Sequence, residues 1–222
     1  MTSLGAGPGE LHPVEEPEPL LIFPCNGNGL EAIDCIGNAY RLLGFIDDTP
    51  EKQGHPAHGQ AVHPRDALCR WPRARVLAVP GSPASYRSRR ALIEGLGIDP
   101  ARWACVVHPS ARISPLASIG RNVLVMAGVV VTANAVVGDH VCLLPNTVVH
   151  HDVRIGDWSL IGSNATIAGG TTIGENCYIG SGSSIMNGLE IGIGTLVGLG
   201  STVIHSTPAG SRVAGNPARP ID

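Results

Sequence analysis

From Ile113 to Val203 every sixth residue is aliphatic. The series runs Ile113, Ile119, Val125, Val131, Val137, Leu143, Val149, Ile155, Ile161, Ile167, Ile173, Ile179, Ile185, Ile191, Val197, Val203, sixteen positions without a slip of phase. A small or β-branched residue stands two places earlier in fifteen of them, Leu189 being the exception, and Gly follows in eight. A period of six excludes an α-helix, whose apolar repeat is 3.6, and also a plain hairpin strand. It fits short parallel strands joined by tight turns and stacked as a solenoid. Each aliphatic points inward, and so does the small residue two before it, because strand side chains alternate. Gly suits the turns. Three hexads close one triangular coil of such a repeat, so the chain holds about five coils.

The rest of the composition agrees with a narrow aliphatic core: 29 Gly and 4% aromatic residues in a chain of 222, with both Phe (Phe23 and Phe45) outside the repeat. A net charge of −3 gives no basic surface for nucleic acid or anionic lipid. Six Cys are scattered without a C-x-x-C pair, and the longest apolar runs fall far short of a membrane span. These features, with no signal-peptide pattern, point to a reducing cytosol and no membrane insertion. Cys177 occupies an inward small slot and reads as core.

Residues 1–18 are rich in Gly, Pro and Glu and read as a flexible tail. Residues 19–107 read as a small Rossmann-like domain. Pro19–Phe23 is a first strand, the PCNGNG turn leads into a helix over 30–39, and Tyr40–Ile46 is a second strand ending at Asp47 and Asp48. Helical Pro64–Cys69, a strand at Val76–Val79 and a helix over Ser85–Leu96 follow. Strand, Gly-rich turn, helix and strand form half of a nucleotide-binding unit, and such a turn suits an anion. Residues 108–222 form the solenoid domain, closed by Val213–Arg219 (VAGNPAR).

Val148–Asp152 (VVHHD) departs from the repeat in an informative way. Val149 is interior, His150 takes the slot usually given to Gly, and His151 and Asp152 follow at an outward corner. A neutral imidazole is a suitable general base near pH 7, and a neighbouring carboxylate can orient it and stabilise its cation.

The repeat and its VAGNPAR ending resemble the hexapeptide-repeat acyltransferases. The PCNGNG turn, GFIDD at 44–48, HPSA at 108–111 and VVHHDVRIGD at 148–157 narrow the resemblance to bacterial nucleotide-sugar N-acetyltransferases and sialic-acid O-acetyltransferases. It covers about residues 19–219. It implies a left-handed parallel β-helix after the α/β domain, acetyl-CoA as co-substrate, no metal, and a homotrimer with active sites between subunits. It implies that a nucleotide-linked amino-deoxysugar is acetylated on its amino group, in the service of O-antigen or related glycan synthesis. His151 and Asp152 match the family's catalytic pair. Asn26, Gly27, Asn28, Asp47 and Asp48 match its sugar-nucleotide contacts, with His150 a supporting substrate contact. Gly169 and Ser181 fall where members bind coenzyme A. Three positions depart from the usual glycine loop: Pro24, Asn28 and Leu30 replace a Gly, a His and a basic residue. Some members carry a second His near the acetyl-CoA sulfur, and Leu160 stands there.

Other readings of the same residues are an O-acetyltransferase acting on a sialic acid or other sugar hydroxyl, and a non-catalytic solenoid scaffold. A metal enzyme on this fold would want a close His pair with H-x4-H spacing, which His140, His150, His151 and His205 do not supply.

Overall fold

The computed structural model describes residues 16–221. The expected tail therefore lies outside the described residues up to residue 15, and Glu18 already belongs to the first strand. Strands β1 (Glu18–Phe23), β2 (Tyr40–Ile46), β3 (Val62–His63) and β4 (Arg75–Ala78) form a parallel sheet in the order β3-β2-β1-β4. The apolar run Leu20–Phe23 is buried on both sides of the sheet, as a central parallel strand requires. Leu20 and Ile22 pack toward the solenoid, whereas Leu21 and Phe23 pack beneath α2 (Ala67–Arg70) and α3 (Arg89–Glu94).

The helix expected over 30–39 starts earlier and stops earlier. It is α1 (Gly27–Glu31), continued by a 3-10 turn at Ala32–Cys35. Asn26 Oδ1 accepts the Gly29 N–H at 2.9 Å, so the Gly-rich turn is itself the first helical turn. Gly29 has to be Gly, because a Cβ there would strike the Pro24 carbonyl oxygen. Strand β3 was not expected; two residues carry too little pattern to be seen.

Residues 106–220 wind into a left-handed parallel β-helix of triangular section. Its first rung, Val106–Val107, stands one hexad before Ile113 and on the same phase. Face 1 runs from Val106–Val107 to Arg212–Gly215, face 2 from Arg112–Ile113 to Thr202–Val203, and face 3 from Ser118–Ile119 to Glu190–Ile191. The last coil is two residues short: Val213 pairs with Val197, sixteen residues back, where earlier rungs pair at eighteen. The Ala218–Pro220 strand then turns back antiparallel on Arg212–Gly215 and closes face 1.

The interior is the aliphatic series itself, from Val125 to Val213, with Cys177 fully buried among it. The small inward residues do chemical as well as steric work. Thr147, Ser159, Thr171 and Ser183 are buried, and their hydroxyls donate to the carbonyls of Gly162, Gly174, Met186 and Gly198 at 2.9–3.0 Å. Corner carbonyls that the strand ladder misses are thereby paired.

Face 1 is the face that the α/β domain covers. Its outward residues Leu124, Cys142, Leu160 and Tyr178 are buried against Leu20, Ile22, Phe45 and Leu77. The equivalent outward residues of face 3, Arg154, Thr172 and Glu190, are exposed. A polar frame fixes the joint. Asn122 is fully buried and pairs both amide atoms with the Ala78 backbone, at 2.7 and 3.0 Å. Arg89 is also fully buried. Its guanidinium donates to the Pro80 carbonyl, to the His140 carbonyl at 2.7 Å and to Cys142 Sγ at 3.2 Å. Tyr86 reaches the Gly194 carbonyl at 2.9 Å.

Candidate active site

The three edges of the prism differ in their first corner residue. On the edge between faces 3 and 1 this residue is always Gly: Gly120, Gly138, Gly156, Gly174, Gly192. A Cβ there would run into the coil above; at Gly156 it would lie 2.6 Å from the Glu175 nitrogen. The edge between faces 2 and 3 has no Gly in that slot, and carries Ser114, Thr132, His150, Ala168 and Met186. The eight Gly noted at period six thus sort by edge once the repeat is read at eighteen, and one edge is left free to carry side chains.

His151 and Asp152 lie on that edge. His151 Nδ1 is 2.8 Å from Asp152 Oδ2, and the imidazole is largely exposed, at 65%. A carboxylate only accepts, so Nδ1 carries the proton and Nε2 keeps its lone pair. Hydrogen bonds from His151 and then from Asn134 hold the Asp152 carboxyl below the ordinary carboxylate range. The ring rests on Gly169 of the next coil. A Cβ on Gly169 would lie 2.6 Å from both Nε2 and Cε1 of His151, so only Gly leaves the ring in place. His150 sits partly exposed beside it. Asn134, one coil earlier, donates to Asp152 Oδ1 at 3.1 Å. Reading for His/Asp pairs did not find Asn134; the signal was its place eighteen residues before Asp152.

The other residues singled out in the sequence gather at the carboxyl ends of β1, β2 and β4, where open α/β sheets bind ligands. Asn26 caps α1, Gly27 faces open space, and Asn28 Nδ2 donates to the Val79 carbonyl at 3.3 Å. Asp47 is buried, and its carboxylate is occupied internally. It accepts the Cys25 and Thr49 N–H groups and the Lys52 ammonium, each at 3.0 Å. Burial pushes the Asp47 carboxyl up, but the bonds from Thr49 and Lys52 outweigh it and leave it below its ordinary value. Asp48 makes a two-pronged pair with Arg65, both contacts at 2.7 Å. Ser181 lies on the edge between faces 1 and 2, away from Gly169 in the same chain. Leu160 is 2% exposed in the domain joint, so packing accounts for an apolar residue there. Among the described residues no group of three His, Cys, Asp or Glu could hold a metal ion, and no helix is long and apolar enough to cross a membrane.

The bacterial transferase hexapeptide family (six repeats) matches residues 116–150 and 134–169, and the hexapeptide repeat of succinyl-transferase matches 152–187 and 170–204. These matches, the left-handed coil and the His151 edge make the chain similar to the hexapeptide-repeat acyltransferases over its β-helix. Its likeness to solved structures extends through both domains, as three of them show. The acetyltransferase domain of PglB from Neisseria gonorrhoeae FA1090, solved also with acetyl coenzyme A, is 28% identical with a TM-score of 0.80 over 92% of this chain and 100% of that one. PerB from Caulobacter crescentus, in complex with CoA and GDP-perosamine, is 26% identical with a TM-score of 0.79 over 92% and 97%. WeeI from Acinetobacter baumannii AYE is 25% identical with a TM-score of 0.79 over 92% and 99%. No curated protein sequence gives a significant match.

Proposed function

We propose that this protein is an acetyl-CoA-dependent N-acetyltransferase that acetylates the amino group of a nucleotide-linked amino-deoxysugar in the bacterial cytoplasm. The observation that carries the proposal is His151, held by Asp152 through Nδ1, seated on Gly169 and largely exposed. The amine attacks the thioester carbonyl, and a C–N bond forms. Nε2 takes the amine proton, Asp152 stabilises the imidazolium, the C–S bond breaks, and the proton passes to the departing thiolate. The α/β domain (19–107) holds the nucleotide sugar in the crevice of Asn26, Gly27 and Asn28. Asp47 and Asp48 shape its wall through their internal pairs. The β-helix domain (108–222) holds coenzyme A beside Gly169 of one chain and Ser181 of the next, and His150 contacts the sugar.

The same geometry favours a homotrimer. The α/β domain covers face 1, and His151 lies on the edge opposite that face. Crevice and base of one chain therefore point to opposite sides of the prism. In the proposed homotrimer a second copy brings its base to the crevice.

The test is thiol release from acetyl-CoA with a panel of dTDP-, UDP- and GDP-linked amino deoxysugars, run beside His151→Ala. Turnover with one sugar, abolished in the variant, is expected. Release with sugar hydroxyls only would move the reaction to O-acetylation, and silence with no acetyl-CoA binding would leave a scaffold. Gly27→Trp blocks the crevice from open space, so the two silent variants, refolded together, regain about a quarter of wild-type activity if sites form between chains. No recovery would place each site within one chain.

A further inference from the structure

We propose that Asn134 is a positioning residue for the base, acting through Asp152; the inference rests on His151 being that base. Three successive coils build the arrangement. Asn134 Nδ2 donates to Asp152 Oδ1 at 3.1 Å, Asp152 Oδ2 accepts from His151 Nδ1 at 2.8 Å, and the ring lies on Gly169. Asp152 is exposed, with 55% of its side chain in solvent, and these two hydrogen bonds hold its carboxylate, with the Arg154 charge nearby. With Asn134 holding Oδ1, the other oxygen is presented to Nδ1, which fixes both the tautomer and the tilt of the ring.

An Asn at this place has a competing explanation. The third corner residue is left-handed in every turn from Asn122 to Gly200: φ is +59° at Asn134 and +59° at Asp152, and Asn122, Asn146, Asn164 and Asn176 share the conformation. Asn tolerates it better than most residues. Its side-chain partner sets Asn134 apart: it alone of these Asn residues bonds the carboxylate that holds His151.

Asn134→Gly separates the two roles, because Gly adopts φ of +59° without strain and removes only the amide. We expect an unchanged melting temperature, an unchanged KM and a kcat lowered about tenfold. In an Asp152→Asn background the same change has no further effect, since the connection is already broken. Loss of kcat that adds fully to that of Asp152→Asn, or Asn134→Gly with wild-type kcat, overturns the inference. Turnover that survives His151→Ala overturns the base assignment itself, and the two failures are told apart by that control.

Discussion

At the scale of single residues, the site depends on an absence. Gly169 lends the ring its seat because it has no Cβ. Gly169→Ala should therefore displace His151 rather than unfold the coil, whose neighbouring turns accept side chains on this edge at Ala133 and Asn187. The expected outcome is a kcat at least about tenfold lower with a melting temperature near wild type, read by steady-state kinetics and thermal denaturation. Asn187→Ala, one coil on in the same column, is the control and should leave kcat unchanged.

At the scale of the element, the rung is the unit of stability. Ser159 Oγ donates to the Gly174 carbonyl at 3.0 Å and accepts the Cys177 N–H at 3.1 Å, and it is fully buried. Ser159→Ala strands both backbone groups in the core, so it should lower the unfolding free energy by roughly 1–3 kcal/mol in a denaturant titration. Sequence periodicity showed these rungs because each has the same two inward slots. It also showed β1 and β2, whose apolar runs are long enough to stand out. The assignment of faces was present but at a different period: Leu124, Cys142, Leu160, Tyr178 and Leu196 recur every eighteen residues as large outward residues, against Arg154, Thr172 and Glu190 on face 3. Read at six, that contrast averages away. The start of α1 was hidden because side-chain capping by Asn26 overrode the poor helix propensity of the Gly residues. Asn134 was hidden for a physical reason too: its partner is one coil away, and an Asn in a left-handed corner looks ordinary.

At the scale of the whole molecule, the joint between domains titrates. The Ala78 N–H fixes Asn122 Oδ1, so Asn122 Nδ2 donates to His140 Nδ1 at 2.9 Å, and His140 must be neutral there. Its ring stacks on Trp158 and meets Trp103 edge-on. Burial first, and then Arg89 and Arg121, push the His140 imidazolium below the ordinary value of 6.5, against Asp139 and Asp157, which favour it. The Arg90–Glu94 pair, with Arg90 over the Trp158 ring, completes the charged surroundings. The unfolded chain takes up this proton at higher pH than the folded one. The contribution to stability is thus full above 6.5 and declines as pH falls below it. The melting temperature should fall more steeply from pH 7 toward about pH 5 in the wild type than in His140→Asn, which keeps an acceptor and the left-handed corner. Equal slopes would remove His140 from the joint's pH response.

The columns of the prism also dictate what lengths of insertion the chain can absorb. A segment of eighteen residues added below Gly169 is one full revolution, and every edge continues in line with the edge above it. Such a graft acts like a further graduation on a ruler, lengthening the lower groove by about 4.8 Å while His151 keeps its seat. Six residues, a third of a revolution, would keep every aliphatic inside and still turn all that follows onto the wrong edge. The solenoid interior would register nothing amiss, yet Tyr178 would leave the domain joint and the closing hairpin would face a different neighbour. For this architecture, then, the six-residue code alone is blind to an error that the joint and the chemistry would feel at once.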